Sequence, residues 1–153
     1  MIPLLPTNTF LQAIDATPLV AIDLIVGDEA GGYLLGQRTN RPAQHFWFVP
    51  GGRIRKNERL DDAFQRIVEM ELGISGITRE SAALLGVYEH LYEDNFSGTP
   101  GISTHYVVLG YRLPHPANLV SLPAEQHDAY CWMRSGDILA NATVHPNTQA
   151  YFR

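Results

Sequence analysis

The chain has 153 residues, 45% hydrophobic and 18% charged, with a formal net charge of -5 and a pI near 5.6. This length suits one domain, residues 1–153, with a proper core. The acidic balance, without any block of Lys or Arg, argues against nucleic acid as a partner. Cys131 is the lone cysteine, so an internal disulfide is excluded and a small core residue is expected. No stretch reaches the roughly 18 apolar residues of a membrane span, and no basic segment precedes an apolar run at the N-terminus. No membrane partner and a cytoplasmic location are therefore the expectation.

In chain order, residues 1–6 (MIPLLP) are apolar and broken by prolines, an extended arm that must pack on its own domain or on a second subunit. Thr7 or Asn8 can cap a short helix through Ala16, with Phe10, Leu11 and Ile14 inward. Thr17 to Val26 is β-branched and aliphatic and predicts a mostly buried strand, turning through residues 27–32 into a second strand from Tyr33 to Arg38. Asp23 interrupts the first of these; by itself it reads as a strand-edge carboxylate facing water. Arg38, Arg41 and Gln44 lie just ahead of the next strand, and arginines that converge on one acidic ligand are how a protein holds a diphosphate.

Phe46 to Val49 predicts a strand that stops at Pro50-Gly51-Gly52, a tight loop whose glycines let the backbone come close to a ligand or metal. A helix follows, with Asn57 as N-cap, Asp61 and Asp62 in its first turn, and Gly73 as its stop. Leu60, Phe64, Ile67, Val68 and Leu72 recur at helical spacing and form its buried stripe. Beyond a polar connection, Ala82 to Tyr92 and Ser103 to Leu113 read as strands, separated by a turn-rich loop at 93–100 that suits the mouth of a site. Residues 117–127 form another loop, Asp128 to Arg134 a short aromatic strand, and Ser135 an N-cap for a helix near 136–140. Pro146 starts a last helix through Phe152. Strands and helices mix without regular βαβ alternation, which favours an α/β fold with a mixed sheet between helices.

Gly52, five residues, Glu58, seven residues, Arg66, and a close of Glu71, one residue, Gly73 and Ile74 resembles the Nudix box. In that frame Ile67 and Met70 stand where the family usually has glutamates, and Glu71 remains. Positions 67, 70 and 71 share one helix face. Three carboxylates there could hold several divalent cations; one suits a single Mg²⁺ completed by backbone carbonyls, waters and substrate phosphate. The segments TPLVAIDLIV at 17–26, LLGQRTNRPAQHFWFVPGGR at 34–53, EDNFSGT at 93–99, THYVVLGYR at 104–112 and EQHDAYCW at 125–132 together closely resemble the GDP-mannose mannosyl hydrolase family, from about Thr17 to Phe152.

The resemblance implies a Nudix-type α/β/α sandwich, a homodimer to which the N-terminal arm contributes, and a GDP-sugar substrate. It implies Mg²⁺, with Mn²⁺ able to substitute, held by the Gly51 carbonyl, Glu71 and Gln126. Arg38, Arg53 and Arg66 would neutralise the departing diphosphate, although Arg66 has a second reading as a structural partner of Glu58. Asp23 would accept hydrogen bonds from substrate, and His90 and Tyr106 would bond phosphate or sugar oxygens. His127 would be the general base for a water that attacks the anomeric carbon, inverts it and frees GDP. His45, His105, His115 and His145 read as surface or structural, and Trp47, Tyr88 and Trp132 as core or strand-face aromatics. Two other functions fit the same residues: a pyrophosphatase that cleaves at phosphorus to give GMP and a sugar phosphate, and a catalytically silent nucleotide-sugar sensor.

Overall fold

The computed structural model describes residues 4–114, 116, 119, 122 and 127–153; the side chains of residues 127 and 128 fall outside that description. Its spine is β1 (Leu19–Val26). One edge of β1 pairs antiparallel with β4 (Gly51–Arg53) and the other parallel with β6 (Thr104–Leu113), to which β5 (Ala83–Tyr92) adds antiparallel. The result is a 4-stranded mixed sheet in the order β4-β1-β6-β5. A second, 3-stranded sheet is antiparallel, with β2 (Gly32–Arg38) between β3 (Trp47–Phe48) and β7 (His127–Arg134). The expected mixed sheet is present, but the strands divide between two sheets. Both edges of β1 are already occupied, so β2, next in sequence, pairs elsewhere.

Alternation along β1 distributes the core. Ile22, Leu24 and Val26 join Phe64, Ile67, Val68 and Leu72 of α2 (Leu60–Leu72) in one apolar cluster. Ile25 points the other way, into a cluster with Leu35, Val49, Ile138 of α3 (Ser135–Ala140), Val144 and Tyr151. Helical segments thus cover both faces, and Asp23 lies on the Ile25 side by strand period. Ahead of β1, α1 (Thr7–Ala16) turns Phe10, Leu11 and Ile14 inward as its pattern predicts, and Leu4 and Leu5 before it stay exposed. Among the described residues no helix is long and apolar enough to cross a membrane.

Helix ends differ from their sequence signals. Pro6 takes the N-cap position of α1 in place of Thr7 or Asn8, and no side chain caps that helix. Asn57 does not cap α2: it adopts φ 68, a left-handed turn that Asn tolerates, and Arg59 holds the cap position with extended backbone. Arg134 precedes α3, so Ser135 is its first residue and not its cap. The C-terminal signals hold. Gly73 closes α2 at φ 71, and Pro146 opens α4 (Pro146–Gln149) while His145 Nδ1 accepts the Asn147 N–H. The last turn, Ala150–Phe152, tightens to a 3-10 helix.

The Pro50-Gly51-Gly52 loop is largely a strand. Gly51 stands opposite Asp23, Gly52 opposite Ile22 and Arg53 opposite Ala21. A Cβ on Gly52 would lie 3.1 Å from Ile67 Cγ1, so the glycine lets α2 sit close on the sheet edge. Phe64 is wholly buried against the sheet, where its ring meets Tyr111 of β6 edge-on. Phe64→Ala is expected to cost about 3–5 kcal/mol, read as a lower urea midpoint with an unchanged denaturant slope; an unmoved midpoint would contradict this packing.

Candidate active site

Elements distant in sequence converge on a cavity of about 180 Å³. Ala21 and Asp23 come from β1, Arg38 from the end of β2, Gly51 to Arg53 from β4, His90 from β5, Tyr106 from β6 and Glu71 from α2. The cavity shares Thr39 and Asn40 with a groove beside Arg41, Gln44 and Phe96. It shares Gly51 to Arg53 and Glu71 with a second groove lined by Leu4, Phe10, Ile67 and Met70. A ligand longer than one sugar therefore has room to extend.

Gly51 is required by contact. A Cβ there would collide with Asp23 Oδ1 and the Ile22 carbonyl, so the bare backbone and the carboxylate share one space. Asp23 is not at a strand edge facing water, since β1 is flanked on both sides; its carboxylate is at the cavity wall. Oδ2 accepts a 2.6 Å hydrogen bond from the Tyr151 hydroxyl, which also lies 3.3 Å from His90 Nε2. Burial pushes the Asp23 carboxyl up to about 7, the Tyr151 bond and the Arg38 charge pull it down, and Glu71 raises it further.

Burial, with the His145 charge behind it, lowers His90 to about 4, so its imidazole is neutral near pH 7. Burial likewise raises the Tyr106 phenol and lowers Arg53. Arg53 lies over the Phe10 ring at 4.6 Å and Arg38 over the Phe48 ring at 5.4 Å. Phe10 also meets Phe96 of the 93–100 loop at 5.2 Å between centroids. The arginines and Gln44 singled out in the sequence do not all converge: Arg38 reaches the cavity, whereas Arg41 and Gln44 line the adjoining groove, and Gln44 Nε2 donates to the Thr39 carbonyl.

Arg66 takes the structural role. Its Nε donates to Glu58 Oε2 at 2.6 Å, and its Nη2 to Glu58 Oε1 at 2.9 Å and to the Arg53 carbonyl at 2.7 Å. Glu58 Oε1 also accepts the Arg55 N–H. This fork braces β4 from behind, and the Arg66 bond is the main cause of the lowered Glu58 pKa. Glu71, 7% exposed, is the acid of α2 that reaches the cavity, whereas Ile67 is buried and Met70 is 42% exposed.

Among the described residues there is no group of three His, Cys, Asp or Glu able to hold a metal. A buried carboxylate beside a glycine backbone is a hard-oxygen set that fits one Mg²⁺ filling its remaining positions with water or phosphate. Gln126 lies outside the described residues. The backbone of His127 pairs with Arg38 across β2 and β7, and its side chain lies outside the description. Tyr151, Phe10 and Phe48 carry no sequence signal for the roles they take here.

The raised Asp23 value bears on stability. The folded chain holds this proton more tightly than an unfolded one, whose value is near 3.8. That contribution is full below about pH 4 and is lost as pH rises through about 7. Asp23→Asn removes the loss, so its Tm is expected to exceed that of the parent protein more at pH 8 than at pH 5. An equal difference at both would show that the carboxylate is not strained by burial.

A family model described as NUDIX domain matches residues 17–152. The low-salt glycan biosynthesis protein Agl8 of Haloferax volcanii is 42% identical over 110 residues, covering 71% of this chain and 67% of that protein. Among solved structures, a MutT NUDIX hydrolase from Burkholderia pseudomallei superposes with TM-score 0.69 at 23% identity, covering 89% of this chain and 96% of the other. The MutT protein of Methanosarcina mazei Go1 does so with TM-score 0.69 at 19% identity, covering 90% and 92%. With the box frame on β4 and α2 and a match over most of its length, the chain belongs to the NUDIX domain family of hydrolases.

Proposed function

We propose that the protein hydrolyses GDP-mannose, tolerating GDP-glucose, to GDP and the sugar by Mg²⁺-dependent attack of water at the anomeric carbon with inversion. The observation that carries this reading is the helix face of α2: Glu71 lines the cavity while Ile67 is packed in the core and Met70 is apolar. Attack at phosphorus loads charge onto the phosphoryl centre and commonly draws on two metals. Attack at carbon forms an oxocarbenium-like sugar and needs mainly a stabilised leaving diphosphate. A single metal-binding acid on the helix suits the second.

Mg²⁺, held by the Gly51 carbonyl, Glu71 and Gln126, would supply positive charge against the diphosphate. Arg38 and Arg53 lie along the cavity to hold the same group. Tyr106, a phenol whose pKa burial raises further, donates to a phosphate or sugar oxygen. Asp23 and His90 face the sugar, and Arg66, engaged with Glu58, is left out of the binding set. His127 takes the proton of the attacking water; an ordinary imidazole, with a pKa of about 6.5, is largely neutral at pH 7. The Haloferax relative, named for glycan biosynthesis, supports a nucleotide-sugar substrate. Exposed apolar residues on edge strand β5, with Val87 at 61% and Leu91 at 66%, together with Leu4 at 74%, support a homodimer.

Reaction in H₂¹⁸O is expected to place the label in mannose, first seen as the β anomer by NMR. Label in a phosphate, with GMP and mannose 1-phosphate as products, would establish the pyrophosphatase instead, and no product at all the silent sensor. His127→Gln is expected to lower kcat by about 10²- to 10⁴-fold with GDP binding retained; near-normal turnover would remove His127 from the chemistry.

A further inference from the structure

Tyr151, in the last turn of the chain, meets two residues of the cavity wall, Asp23 and His90, and none of the steps above uses it. Its ring is fixed. The residue is 5% exposed, meets Tyr88 edge-on at 4.6 Å, and passes Gly110 so closely that a Cβ there would lie 3.0 Å from the ring. The hydroxyl therefore has little freedom, and it holds a single proton between two partners, Asp23 Oδ2 at 2.6 Å and His90 Nε2 at 3.3 Å.

The shorter and stronger of the two bonds, 2.6 Å against 3.3 Å, runs to the carboxyl oxygen, so the phenol proton is directed at Asp23. His90 must then donate to the phenol oxygen. That requires the tautomer with hydrogen on Nε2 and leaves Nδ1 an acceptor. The other carboxylate oxygen, Asp23 Oδ1, lies against the Gly51 backbone at the cavity wall. One hydroxyl thus orders two groups that come from different strands.

We propose that Tyr151 is a positioning residue that sets the hydrogen-bond polarity of Asp23 and His90, so that both meet a ligand as acceptors and select the hydroxyl-bearing sugar half of a nucleotide sugar over the bare nucleoside diphosphate. The selection rests on the nucleotide-sugar reading above; the tautomer does not. A sugar ring offers adjacent O–H donors to such a pair, and a terminal phosphate, mostly ionised at neutral pH, is chiefly an acceptor.

Long-range ¹H–¹⁵N correlation spectra of the full chain, free of ligand, are expected to show His90 protonated on Nε2, and Tyr151→Phe to shift that equilibrium toward Nδ1–H. The same variant is expected to raise KM for GDP-mannose about tenfold while the inhibition constant of GDP stays within about twofold, the size of effect for one lost hydrogen bond to a charged group. Nδ1–H in the parent protein overturns the proposal without any variant. So does an unchanged tautomer in Tyr151→Phe, an unchanged KM, or a parallel rise in KM and in the GDP constant, which would mark general loosening. Should the parent protein fail to turn over GDP-mannose, that substrate assignment falls, and the selection with it, while the spectra still decide whether Tyr151 orders His90.

Discussion

A carboxylate and a stretch of backbone compete for the same place where β4 pairs with β1, and both fit only because residue 51 has no side chain. Much of the site follows from that approach. With Gly51 flush against Asp23, the next residue lies directly under Ile67 of α2, and Arg53 emerges along the cavity wall. A strand of three residues thereby sets the relative positions of a β1 acid, a cation and the helix that carries Glu71. The Glu58–Arg66 fork holds this strand from the other side by bonding the Arg53 carbonyl. Glu58 and Arg66 thus act on the cavity through the backbone they clamp.

The cavity is also where the fold gives up stability. Asp23 is held where burial disfavours its charge, and His90 and Tyr106 sit where their charged forms are likewise disfavoured. Near neutral pH the cost falls on the Asp23 carboxylate, because His90 and Tyr106 are largely neutral there whether folded or not, and shifted groups of this kind cluster at functional sites. Two apolar clusters, one under α2 and one under the C-terminal segments, offset that cost. β1 feeds both, which is why a charged residue in its middle is tolerated: its neighbours Ile22 and Leu24 are wholly buried on the opposite face.

Local spacing made the helix of the box, its buried stripe, its closing glycine and the Glu58–Arg66 pair legible in the sequence, because each is set by residues within a few turns. The box frame also marked Glu71, which lines the cavity, whereas Gly51 as a metal ligand came only from the wider family resemblance. What escaped was long-range. Tyr151 and Asp23 are 128 positions apart, and no periodicity joins them. Asn57 and Ser135 have the chemistry of caps, but the chain enters both helices by extended residues that are arginines, and the strand at Gly51 was hidden because paired glycines look like a turn until a partner strand is known. Asp23 was readable as a charge in a strand, yet whether that strand was central or peripheral depended on β4 and β6, far along the chain.

The rings beneath the two cavity arginines have a further meaning. Phe10 and Phe48 hold the guanidinium planes of Arg53 and Arg38 through the quadrupole of an aromatic face. A carboxylate in the same place would fix each plane equally well but would cancel its charge, leaving a dipole of little use to an incoming anion. An aromatic support orients the cation and leaves its field intact. The helix that precedes β1 therefore contributes to the electrostatic potential of the cleft without carrying a single charge into it.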